Sequence, residues 1–257
     1  MKHRLTEEDL EQIFIASRYK KRSSFSVFIA FVGLFILFFI VVTYLLNFSA
    51  YNQKISWWYQ DEFGTTQHGL IDAVTTYHNH PASDSNSSNI LPNISDNSIS
   101  IESIGVKAPI TFGVDNNATA VSNNLKNGPI QLTGTSLPGQ TGNVFITGHS
   151  SNYPWIKSQY NSVFALLGNV VVGDLVQIKF QNVNYVYQVK KIFVVDPSDI
   201  SVLNSNSSSS TLTLMTCTPV GTNLRRLIVQ ADQIIPDQSQ NSKSNNQSSQ
   251  TLPNGVH

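Results

Sequence analysis

A single cysteine, Cys217, is all that this 257-residue chain contains, so it can form no disulfide within itself and cannot be a disulfide-built scaffold. Charge is scarce too. Asp, Glu, Lys and Arg together make up 12% of the residues and balance at a formal net charge of zero. No basic surface therefore argues for nucleic acid, and a charged substrate would find little field to steer it. A mostly neutral, extended peptide is the expected partner, an expectation that does not rest on composition alone. No acidic cluster is dense enough to argue for a calcium site, no other metal or cofactor is expected, and no internal repeat is present.

The chain does contain one long hydrophobic run. Phe25 to Leu46 gives 22 consecutive residues without a charge, which at about 1.5 Å per residue spans roughly 33 Å, enough for a bilayer core of about 30 Å. A cleaved signal peptide has a shorter apolar core and a small-residue cleavage site, so a permanent anchor is expected. Arg18, Lys20, Lys21 and Arg22 precede the run and only Lys54 follows it closely. The positive-inside rule then places the N-terminus in the cytoplasm and the remainder outside, in contact with membrane lipid. Trp57, Trp58 and Tyr59 follow closely enough to form a belt at the headgroup level.

The other boundaries follow from composition. Residues 1–24 form a cytoplasmic head, in which Thr6 can cap a short helix that presents Leu10, Ile13 and Phe14 at helical spacing. Residues 47–97 are a juxtamembrane segment and stalk, rich from His80 onward in Ser, Asn, Asp and Pro. The tail, 236–257, has the same character and is expected to be disordered. Between them, 98–235 is of normal size for one domain with one core.

Within that domain six segments are apolar or alternating and rich in Val, Ile, Thr and Tyr: 98–106, 143–147, 175–180, 184–195, 211–216 and 224–231. Gly, Asn, Asp and Pro separate them. One helical stretch is predicted, over 161–167. An all-β barrel or sandwich with short helical connections follows.

A lone cysteine held outside the cell has no partner in its own chain, so a chemical role competes with that of a buried small hydrophobe or an intermolecular disulfide. Nucleophilic use of a thiol needs a base and a group to stabilise the oxyanion. Of six histidines, only His149 lies inside the domain, directly after the predicted strand 143–147. Arg225 and Arg226 open the strand that follows the cysteine. If Leu227, Val229 and Ala231 face the core, Arg226 lies on the other face; by the same alternation Thr213, Met215 and Cys217 face away from Leu212 and Leu214. Cys217 and Arg226 then share a face.

These residues resemble a known family, the sortases. Thr213-Leu214-Met215-Thr216-Cys217 is similar to the family's Thr-Leu-x-Thr-Cys strand end, and Thr218-Pro219-Val220-Gly221-Thr222-Asn223-Leu224-Arg225-Arg226-Leu227 continues its pattern. Upstream, Leu137-Pro138-Gly139-Gln140-Thr141-Gly142-Asn143 leads to Thr147-Gly148-His149-Ser150, which looks like the family's histidine segment. The resemblance implies an eight-stranded β-barrel, with Cys217 as nucleophile, His149 as general acid/base, Arg226 holding the substrate and oxyanion, and Thr216 near the substrate. It implies cleavage of a Leu-Pro-x-Thr-Gly-like sorting signal on surface proteins between Thr and Gly. The acyl group passes through a Cys217 thioester to an amine of a peptidoglycan precursor or pilin.

Neither Leu137-Pro138-Gly139-Gln140-Thr141-Gly142 nor Leu252-Pro253-Asn254-Gly255 makes this chain itself such a substrate, the first having one residue too many and the second lacking the Thr. Two other cysteine enzyme classes fit less well. The L,D-specific crosslinking transpeptidases carry a Ser-His-Gly segment that is absent before Cys217, and papain-like hydrolases place cysteine first, at a helix start. A tethered β-domain acting as adhesin or scaffold is the non-enzymatic alternative.

Overall fold

Each of the six predicted segments contributes strand in the computed structural model of the chain, which describes residues 6–8, 11, 24–63, 69–79, 91–153, 155–204 and 208–243. Most of residues 1–24, expected to be a cytoplasmic head, residues 80–90 of the expected stalk and the tail from 244 lie outside these. Two units result, residues 1–46 and 47–257. In the first, helix α1 (Ser24–Leu46) contains the apolar run, and its large hydrophobic side chains are exposed.

The second unit is built on nine strands: β1 (Ser98–Ile101), β2 (Val106–Pro109), β3 (Thr111–Val114), β4 (Ile130–Leu132), β5 (Gly142–Thr147), β6 (Leu175–Phe180), β7 (Val183–Val195), β8 (Ser210–Thr218) and β9 (Arg225–Ile235). Their order in the single sheet is β2-β1-β6-β7-β9-β8-β5-β4-β3. The two edge strands, β2 and β3, are consecutive in the chain with only Ile110 between them. One extended segment therefore supplies both edges, and the sheet curls into a nearly closed barrel. Counting that segment once gives the eight strands expected.

Both faces of the sheet are covered, so β1, β4 and β5 are buried along their whole length. Val144, Ile146, Leu212, Leu214, Val229 and Ala231 pack inside the barrel with Ile99, Val176 and Tyr187. Phe145, Met215, Cys217 and Ile228 alternate to the other face, where Val121 and Leu125 from helix α4 (Ala118–Asn124) and its continuation, with Val202 and Leu203 from a 3-10 turn, cover them. The expected alternation holds, but the outer face lies under this second layer instead of open to solvent.

Several local expectations are replaced. Residues 161–167 form successive turns ending in a 3-10 turn at Leu167–Asn169, not a helix. Helices α2 (Phe48–Phe63) and α3 (Gly69–Asn79) occupy the segment expected to be juxtamembrane chain. Trp57 lies against the barrel core and its Nε1 donates to the Ser103 carbonyl at 3.0 Å, so it is not a belt residue. Leu70, Ala73 and Val74 of α3 pack with Leu91, Leu175, Val186 and Ile235. The start of the tail is ordered as well: Gln238–Gln240 form a 3-10 turn, and Asn241 Nδ2 donates to Ser210 Oγ at 2.6 Å.

Candidate active site

Strands β5 and β8 run parallel with Thr147 opposite Met215. His149 and Cys217 stand two residues further along each, and the Gly148 N–H donates to the Met215 carbonyl at 3.1 Å, carrying the register past the strand end. The two side chains thus emerge together at one end of the sheet. On the other side of β8, Cys217 is the register partner of Arg226 across the antiparallel β8–β9 pair. Opposed residues project to the same face, which makes β8 the element that brings the thiol between an imidazole and a guanidinium.

The histidine is held by its backbone. Its carbonyl accepts from the Phe164 N–H at 2.9 Å, and the Gly148 carbonyl before it accepts from the Thr216 hydroxyl at 2.8 Å. Thr216, expected at the substrate, is buried and turned toward this strand end. Gly148 is required by packing: a Cβ there would sit 2.6 Å from Phe164 Cδ2, closer than carbon atoms can approach. The ring of Phe164 therefore demands a residue without a side chain directly before His149.

Electrostatically His149 and Cys217 are pushed in opposite directions. Burial lowers the His149 pKa to about 4. Asn152 Nδ2, which can only donate, lies 3.3 Å from His149 Nε2, while Asn152 Oδ1 accepts from the Tyr153 N–H at 2.8 Å. That orientation makes Nε2 the acceptor and puts the neutral ring's proton on Nδ1. Burial pushes the Cys217 thiol up, and the Arg226 charge partly offsets this. Desolvation disfavours charge on both groups, so the resting pair is thiol with imidazole.

Arginines 225 and 226 differ sharply. Arg225 is exposed, with Nε 3.5 Å from Asp196 Oδ1. Arg226 is only 5% exposed, and its Nη1 donates to the carbonyls of Asn223 at 2.9 Å and Arg225 at 3.3 Å. Its Nε is buried with no hydrogen-bond partner among the described residues, as is Ser150 Oγ beside the histidine. Such groups cost free energy unless a partner arrives, and the carbonyl oxygens of a bound peptide would be suitable acceptors.

Sequence reasoning missed Asn152, Phe164 and Ser151, whose Oγ accepts from the Gly221 N–H at 3.0 Å and ties the 219–224 turn to the histidine loop. Nothing distinguishes these from ordinary loop and core residues until the fold places them. Among the described residues no three His, Cys, Asp or Glu side chains cluster as metal ligands would.

The chain matches the family model described as "Sortase domain" over residues 99–234. No curated protein sequence matches. Among solved structures, the lid mutant of sortase A from Corynebacterium diphtheriae is 27% identical, with 66% of this chain and 94% of that one covered and a TM-score of 0.47. A sortase D5 transpeptidase from Clostridium perfringens is 29% identical, covering 65% and 99%, with a TM-score of 0.45. Sortase C1 from Streptococcus agalactiae is 26% identical, covering 70% and 97%, with a TM-score of 0.47. The domain match spans more than half of the 257 residues, and the chain belongs to the sortase family of cysteine transpeptidases.

Proposed function

We propose that the protein cleaves a Leu-Pro-x-Thr-Gly-like signal between Thr and Gly and joins the new acyl end to an amine of a peptidoglycan precursor or a pilin. The observation that carries this reading is the convergence of Cys217, His149 and Arg226 at one end of β8, with the Arg226 Nε awaiting an acceptor. In the reactive form the proton has moved from the thiol to His149. The thiolate attacks the Thr carbonyl carbon, and the oxyanion that develops is stabilised by Arg226. His149 gives its proton to the leaving Gly amine, the C–N bond breaks and the thioester forms. The acceptor amine then attacks the thioester while His149 takes its proton, the C–S bond breaks and Cys217 leaves as thiolate.

Burial supports transfer over hydrolysis. Cys217, His149 and Arg226 are 8%, 6% and 5% exposed, so bulk water has little access to a thioester there. The apolar surroundings of Cys217, Met215, Val202 and Leu203 among them, suit the Leu and Pro of the signal. Arg226 also favours the thiolate, which raises the small population of the reactive ion pair.

The apolar helix α1 supports membrane anchoring, and we place the N-terminus in the cytoplasm and the barrel outside, from the excess of Arg18, Lys20, Lys21 and Arg22 over Lys54. The test of function incubates the purified chain with a panel of sorting peptides and an amine acceptor and reads products by mass spectrometry. Cleavage after Thr with an acyl-enzyme on Cys217 is expected. Cleavage elsewhere, or undiminished turnover by Cys217→Ala, would overturn the proposal.

A further inference from the structure

We propose that helix α2 lies in the headgroup layer of the membrane, held between the bilayer on one face and the barrel on the other. The proposal rests on reading residues 25–46 as a membrane span. Asn47 alone separates the end of that span from the start of α2, and two residues reach at most about 7 Å. The first turn of α2 therefore begins at bilayer level whatever direction the helix then takes.

The two faces of α2 carry different residues. Ala50 and Trp57, seven apart, are on the barrel side, where Ala50 is buried and Trp57 packs on the core. Ser49 Oγ shares a hydrogen bond of 2.8 Å with Ser162 Oγ. Phe48, Ile55 and Tyr59 fall within about 40° of one another around a helix of 3.6 residues per turn, on the side away from Ala50 and Trp57. They are 52%, 53% and 62% exposed, and the neighbouring Trp58 is exposed too. An exposed stripe of two aromatic rings and an isoleucine, directly after a span, suits the interface, where Trp and Tyr place a polar edge among headgroups and an apolar ring below them. Trp58 and Tyr59 thus keep the interfacial role, and Trp57 fastens the same helix to the enzyme.

This arrangement also bears on the substrate. The chain entering α2 touches the catalytic rim, since a Cβ on Gly221 would lie 2.7 Å from Asn47 Oδ1. Gly221 belongs to the turn between Cys217 and Arg226, so the entrance to the site is held near the lipid surface. A signal joined to a membrane-inserted segment would reach that entrance at a fixed height, whereas a freely diffusing peptide would not depend on how α2 is held.

The test uses the full chain in phospholipid vesicles. In a Cys217→Ala background, Ile55→Cys, Tyr59→Cys and, as an exposed reference, Lys126→Cys are each labelled with a nitroxide, and collision with oxygen is compared with collision with a water-soluble nickel chelate. Labels at 55 and 59 are expected to meet oxygen and be shielded from nickel, with the reverse at 126. Nickel access at 55 and 59 equal to that at 126 would show a solvated face; shielding from both reagents would show a protein partner there. Either result overturns the proposal.

A second measurement uses the double variant Ile55→Asp, Tyr59→Asp in the otherwise unchanged chain. Cleavage of a soluble sorting peptide should be unaffected, and cleavage of the same signal on a membrane-inserted helix should fall several-fold. Equal loss on both substrates, or loss on neither, would count against α2 as the membrane contact. If the unsubstituted chain cleaves neither substrate the sortase chemistry fails, and the nitroxide result decides the membrane proposal independently.

Discussion

Removing Arg226 should separate catalysis from folding. Its guanidinium is buried beside Cys217, but the carbonyls it binds belong to Asn223 and Arg225, which are exposed and can take water in its place. Arg226→Ala should therefore leave a folded barrel. What it removes is the buried cation paired with the thiol across β8 and β9. Loss of an oxyanion donor costs about 2.7 to 4 kcal/mol of transition-state stabilisation, roughly 10²- to 10³-fold in rate. The Arg226 charge also holds the Cys217 pKa down against burial, so its loss should move the alkaline limb of the kcat/KM profile to higher pH.

Arg226→Lys should rescue only partly, since a point charge cannot reproduce the planar fork that binds Asn223, Arg225 and a substrate carbonyl together. Arg225→Ala is the control. Its contact with Asp196 is an exposed pair, worth about 0 to 1 kcal/mol to stability, and turnover should barely change. The assay compares kcat/KM against pH for the three variants, with melting curves for each. A larger loss at Arg225 than at Arg226, or an alkaline limb that does not move, would refute the assignment.

Cys217→Ala should abolish both cleavage and the acyl-enzyme seen by mass spectrometry; because the thiol fills a small space among Met215, Ile228 and Val202, the fold should lose no more than about 1 kcal/mol. His149 is held neutral with a pKa of about 4 against an ordinary 6.5, so the unfolded chain takes up a proton first as pH falls. Stability is full above pH 6.5 and should decline by about 3 kcal/mol as pH drops through 4. His149→Gln should lack this part of the decline in denaturant titrations across that window, and an unchanged pH slope would show that the ring is not desolvated. Gly148→Ala forces a methyl onto Phe164 and should shift His149 by a fraction of an ångström or more; about a 10²-fold loss in kcat is expected, and near-normal turnover would show that Phe164 yields freely.

Six strand segments were legible in the chain alone, because their alternation is a local property of period two, and with them the pairing of faces. Leu227, Val229 and Ala231 do point into the barrel, and Cys217 and Arg226 do face each other across β8 and β9. The apolar run is equally local, since its length and lack of charge need no tertiary context. Other features depended on distant segments. In residues 48–63 the apolar positions are divided between two faces, and only the fold shows that Trp57 turns to the Ser103 carbonyl 46 positions away. The short strands β3 and β4 carry too few residues for a periodic signal and exist because barrel closure pairs their backbone groups. The protonation state of the pair depends on the whole fold: burial makes His149 a weaker base, and burial under α4 and the 200–203 turn makes Cys217 a weaker acid. Desolvation is a sum over surrounding atoms that no local pattern of residues records.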